Sequence, residues 1–128
     1  MRQDGSRKMQ KFRRLFAPNP NTKYDPQEMR KIAEQVIYVC DAPMYGDNMS
    51  SEHRDRYEGN IARSLEFFDP VHDGIILYGD ALIFALMLFY LSHTLEAKDT
   101  IRIARWNAKR MEYDLREIGI NFFPEFAE

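Results

Sequence analysis

One cysteine, Cys40, is all the thiol this chain carries. An intrachain disulfide is therefore impossible, and a cysteine-rich zinc module is excluded. There is no Gly-rich phosphate loop and no Gly-x-Ser-x-Gly elbow, and no two carboxylates stand at a catalytic spacing. The three histidines, His53, His72 and His93, are far apart and belong to no His-Glu-x-x-His or Cys-His arrangement. His72 and Asp73 beside Asp69 read as a polar loop rather than an acid–base cluster. The sequence thus names no catalytic residue, no metal ligand and no cofactor, and the expectation is a protein that is not an enzyme.

A large surplus of one charge is lacking as well. The 18 basic and 20 acidic side chains leave a net charge of −2, so the whole chain has no global pull towards nucleic acid. What the chain has in quantity is apolar surface: 45% of its 128 residues are hydrophobic and 13% are aromatic. That is one domain's worth of sequence, with enough to bury that a disordered tail or a collagen-like repeat is ruled out.

The near-neutral total hides a split. Residues 1–23 hold seven basic side chains against Asp4 alone, a net of +6, while residues 24–128 carry a net of −8. A basic arm on an acidic body marks an interaction tail or an address. Within it Met9, Phe12, Leu15 and Phe16 stand among basic residues, as in an amphipathic segment that lies on anionic lipid, and its Arg-rich, acid-poor character also fits a mitochondrial targeting peptide.

Four segments follow from the punctuation: a basic arm over 1–23, a two-helix module over 24–70, an apolar helix over 71–95, and an amphipathic helix with a tail over 96–128. In the module, Asp25 caps, Pro26 suits the first helical position and Glu28 completes a capping box. Met29, Ile32, Ala33, Val36, Val39 and Cys40 then form one helical stripe, ended by Ala42-Pro43 and Gly46-Asp47-Asn48. Ser50 or Ser51 caps a second helix whose apolar face is Tyr57, Ile61, Leu65 and Phe68, closed by Asp69-Pro70. No stretch alternates over strand length, so the pattern predicts an all-α chain.

The third segment carries the functional reading. From Ile75 to Leu91 only Tyr78, Gly79, Asp80 and Tyr90 depart from Ile, Leu, Phe, Met or Ala. The apolar residues cover every side of a helix, so such a helix must be enclosed by protein or by lipid. Eighteen residues at ~1.5 Å each span about 27 Å, close to a hydrocarbon core of about 30 Å. The reading is a membrane span marked by Ile75, Gly79, Asp80, Leu86 and Leu91. Asp80 inside it is either a functional group or one that only fixes packing, and Gly79 allows a neighbouring helix to approach closely.

The last segment reads as a helix with a narrow seam of Ile101, Ala104, Ala108, Met111, Leu115 and Ile118 at spacings of three and four. Gly119 stops it. Partner contact is expected at Ala104, Trp106, Ala108, Met111 and Leu115, since a seam of small and medium residues packs on another helix. Trp106, the lone tryptophan, stands among Arg102, Arg105 and Arg110.

From Asp69-Pro70 onward, a short acidic loop, one apolar run, an Arg-rich segment with a Trp near its start and the Arg116-Glu117-Ile118-Gly119-Ile120 stop resemble the ESSS-type single-span accessory subunits of mitochondrial respiratory complex I. The resemblance covers about half the chain. It implies a non-catalytic, structural subunit of the mitochondrial inner membrane, with other subunits of the complex and the lipid bilayer as partners and no nucleic acid or small-molecule substrate. The rival reading is a soluble all-α adaptor or inhibitor, of viral type, with residues 75–91 as a buried core helix.

Overall fold

The computed structural model describes residues 11–20, 26–41 and 51–122. Its elements are β1 (Phe12–Ala17), α1 (Pro26–Arg30), β2 (Ala33–Tyr38), α2 (Ser51–Leu65), β3 (Asp73–Ile76), α3 (Ala81–Thr94), β4 (Thr100–Asn107) and β5 (Glu112–Gly119), then a 3-10 turn at Ile120–Phe122. The five strands form one mixed sheet in the order β2-β1-β3-β4-β5. Four run parallel, and β5 returns antiparallel to β4. This α/β sheet overturns the all-α expectation, for the single-span subunit and for the all-α adaptor alike.

The reason lies in how central parallel strands read. Such strands are buried on both faces, so they show as short apolar runs rather than as alternation. Phe12-Arg13-Arg14-Leu15-Phe16-Ala17, read as a lipid-facing basic arm, is the interior strand β1. Its Phe12, Leu15, Phe16 and Ala17 are fully buried. The helical stripe ending at Cys40 is broken up: Met29 lies in the short α1, Ile32 in the turn after it, Ala33 and Val36 in β2, which pairs with β1 in register Phe12↔Ala33 to Ala17↔Tyr38, and Val39 and Cys40 follow that strand. Asp25, Ser50 and the 42–48 breakers lie outside the described residues.

The expected C-terminal helix is a hairpin. Ile101 lies opposite Ile118 and Ala104 opposite Leu115, with Ala108 and Met111 at the turn between the strands. The seam's spacing is therefore symmetric about the turn, and its members pair across strands instead of stacking along one helix. The two faces of the sheet separate them. Ile101, Ile103 and Ile118 join α2 and α3 on one face through Ile61, Leu65, Ile83, Met87 and Leu91. Ala104, Tyr113 and Leu115 join Phe12, Leu15, Ile76 and Met29 of α1 on the other.

Met111 closes the hairpin with φ 54°, a left-handed conformation that a residue with a Cβ adopts at a cost. Its side chain is 68% exposed and contributes little packing to offset that cost. Met111→Gly is expected to raise stability by about 1 kcal/mol, read from a urea melt. An unchanged or lowered midpoint would show that the side chain holds the turn.

The expected span is three elements. Ile75 and Ile76 end β3, Leu77 to Asp80 turn the chain, and α3 begins at Ala81. Gly79 has φ +79°, and a Cβ there would lie 2.6 Å from Asn19 Oδ1, so this position requires glycine. Asp80 caps α3, its Oδ1 accepting from the N–H of Leu82 at 2.7 Å and of Ile83 at 3.1 Å. Among the described residues no helix is long and apolar enough to cross a membrane. That corrects the transmembrane assignment together with the inner-membrane location and the complex I role that rested on it. An apolar run of this length is compatible with a span only if it stays helical throughout, and here a strand takes its first residues and a glycine turn breaks it.

Candidate functional site

In an open, doubly wound sheet the chain leaves a crevice where the strand order reverses, at the carboxyl ends of the strands. Here the reversal falls between β1 and β3, since β2 lies on one side of β1 and β3 on the other. Asn19, 3% exposed, ties the two strand ends together: its Oδ1 accepts from the Asp80 N–H at 2.7 Å, and its amide donates to the Pro20 carbonyl at 2.9 Å. Next to it Cys40 follows β2 and donates its N–H to the Pro18 carbonyl at 2.9 Å. Its thiol is pushed up to about 11, first by burial and then by the negative charges of Asp41 and Asp80. A thiol so placed is protonated at neutral pH and is a poor nucleophile.

The first free N–H groups of a helix normally attract an anion, but at α3 the Asp80 carboxylate already takes two of them. Asp41 and Asp80 make the surroundings acidic. A phosphate would have to displace one of the protein's own carboxylates and meet the other. Among the described residues no group of three or more His, Cys, Asp and Glu side chains converges as a metal site.

The opposite end of the strands holds a second polar cluster. Asp73, fully buried, accepts from Arg14 at 2.6 Å and 3.3 Å, from Arg13 at 3.4 Å and from the Asp69 N–H at 2.9 Å. Arg14 also donates to the Phe67 carbonyl at 2.7 Å. Asp69 sits 2.8 Å from His72 Nδ1, and that hydrogen bond, then the Val71 N–H, holds its carboxyl below the usual range. Every partner here belongs to the framework: the cluster locks β1, β3 and the α2–β3 loop together.

Among the described residues, α3 leaves an apolar face open. α3 has no Lys, Arg, Asp or Glu among its 14 residues, and only one stripe, Ile83, Met87 and Leu91, is buried against the sheet. On its outer side Leu82 is 51% and Phe89 62% exposed, with Leu86 and Tyr90 half-buried. Leu86, Phe89 and Tyr90 join Ile61 and Glu58 of α2 and His93 to line an open groove of about 300 Å³. Contiguous exposed apolar surface of this kind marks an interaction site.

The residues expected to mark a span are thus dispersed by role. Ile75 is sheet core, Gly79 and Asp80 shape the turn and cap, Leu91 is helix core, and Leu86 alone lines the groove. Of the residues expected at a partner contact, Ala104, Trp106 and Leu115 share one face of the β4–β5 hairpin, while Ala108 and Met111 occupy its turn. Trp106 packs edge-on against Tyr113 with ring centroids 5.0 Å apart. Phe89 and Glu58 were missed. The signal for Phe89 was present in the all-round apolarity of the run, but which side would stay uncovered depended on where the sheet lay.

The class defined by these features, among the described residues, is an open α/β domain whose helix terminus at the switch point is capped by its own Asp80 and whose helix α3 keeps an uncovered apolar face. Compared with protein-family models, curated proteins and solved structures, the chain matches none.

Proposed function

We propose that this protein is a non-catalytic docking domain whose α2–α3 groove receives an amphipathic helix of a partner protein. The observation that carries the reading is the bare outer stripe of a helix without one charged Asp, Glu, Lys or Arg, exposing Leu82 and Phe89 beside a groove. Helix-in-groove recognition uses such a surface, with apolar anchors at every third or fourth position of the incoming helix. The groove volume suits one or two large side chains. Its lining holds one carboxylate, Glu58, and α3 supplies no Lys or Arg to pair with it, so the fitting partner helix carries a Lys or Arg beside its apolar anchors. The domain's task on this reading is to hold an assembly together.

The test uses fluorescein-labelled helical peptides of one apolar pattern, with either Lys or Glu flanking the anchors, titrated with the full chain. The Lys peptide is expected to bind more tightly. Phe89→Asp should weaken it by at least about ten-fold, as loss of a central aromatic anchor does. Glu58→Lys should shift the preference to the Glu peptide. Equal binding of both peptides to wild type and Phe89→Asp would sink the proposal.

A further inference from the structure

β5 is the last strand of the sheet, and among the described residues nothing pairs with its outer side. An eight-residue edge strand offers a row of backbone donors and acceptors, which proteins blunt with charge. β5 is charged, reading Glu-Tyr-Asp-Leu-Arg-Glu-Ile-Gly over 112–119. The order of those charges does more than blunt the edge.

Two copies that pair their β5 strands through a two-fold axis must run antiparallel, and residues directly opposite must share a sheet face. Symmetry then requires one residue to sit on the axis facing its own copy. Only two such registers keep seven of the eight residues paired: one with Leu115 on the axis, one with Arg116 on it. The second sets two arginines directly opposite, where Cβ atoms are about 5 Å apart and like charges repel. The first sets Leu115 against Leu115 and places Asp114 of each copy opposite Arg116 of the other, two ion pairs on one face.

The side chains are available for it. Arg116 is exposed, and among the described residues no carboxylate pairs with it. Asp114 uses Oδ2 for Asn107 at 3.0 Å and for Arg105 at 3.9 Å, which leaves Oδ1 over among the described residues. On the other face Leu115 is half-buried beside Trp106 and Tyr113, so the pairing also joins two aromatic-flanked patches. We infer that the chain forms a two-fold dimer by β5–β5 pairing with Leu115 on the axis, extending two five-stranded sheets into one of ten.

The dimer stands independently of the groove, and its test measures mass. Sedimentation equilibrium of the full chain should show reversible dimer formation below about 1 mM. Arg116→Glu places Glu opposite Asp114 twice, and Asp114→Lys places Lys opposite Arg116 twice. Each alone should weaken the dimer by about ten-fold or more, at up to about five-fold per pair lost or repulsion gained. Mixed together, the two variants carry complementary charges at both contacts and should recover a heterodimer, which a mere loss of folding could not produce. If Asp114→Lys does not fold, Leu115→Cys decides instead: across the axis it should oxidise to a covalent dimer, with Cys40 buried and out of reach. A monomer at every concentration, or a dimer indifferent to Arg116→Glu, overturns the inference.

Discussion

Asp73→Ala is expected to cost about 3–5 kcal/mol of folding stability, the range for breaking a buried ion pair by removing one partner. Asp73 is fully buried at the start of β3, and its carboxylate holds Arg14 through two contacts, Arg13 through one and the Asp69 N–H through another. Without it Arg14, itself mostly covered, keeps among the described residues the Phe67 carbonyl as its hydrogen-bond acceptor and the Phe16 ring beneath its guanidinium, and the loop from α2 into β3 loses its tie to β1. Asp73→Asn should fall between the two, because an amide keeps an acceptor for one donor and removes the charge. Urea unfolding of the three proteins measures it. A loss under about 1 kcal/mol, the range of an exposed ion pair, would show that the arginines are held by something other than this carboxylate.

The second large effect is a contrast within one helix. Met87→Ala should cost about 2–5 kcal/mol and Phe89→Ala under about 1 kcal/mol, although the two stand two residues apart in the same apolar run. Met87 is fully buried between α3 and the sheet, so its removal leaves a cavity; Phe89 is 62% exposed and its ring leans on His93 at 4.4 Å between centroids. Thermal or urea melts of both variants separate the faces. Equal losses would mean that the outer stripe is enclosed in the isolated chain as well, and the docking proposal would lose its surface.

Those two residues mark the boundary of what was legible. The run 75–91 declares by composition alone that it must be enclosed, and α3 with its buried stripe meets that demand halfway. The helix over Ser51–Leu65 is equally plain in the spacing of Tyr57, Ile61 and Leu65, because a surface helix writes its buried face at a period near 3.6. The sheet was not legible in the same way. β1 and β3 are central and parallel, and their short apolar runs fit a helix or a span as well as a strand. Arg13 and Arg14 read as a basic arm because nothing local shows that Asp73, some sixty residues on, will receive them.

The hairpin shows most clearly why. Ile101 and Ile118, Ala104 and Leu115, and Ala108 and Met111 are placed symmetrically about a turn, and a symmetric set of this kind obeys a helical spacing of three and four just as well. Local sequence could not choose between the two, since the deciding energy is the pairing of β4 with β3 through Ile75↔Ile103 and Ile76↔Ala104, contacts made far along the chain. By itself the sequence determined that the chain has enough apolar surface for a core, that a helix starts near Ser51 and carries Tyr57, Ile61 and Leu65 on one face, though it ends at Leu65 and not at the expected Asp69-Pro70, and that no intrachain disulfide supports the fold. Only the tertiary structure decided the strand order, the hydrogen bond that ties Asn19 to Asp80, and which stripe of α3 stays bare. Each of those depends on residues brought together across tens of positions, where burial and pairing outweigh any local preference.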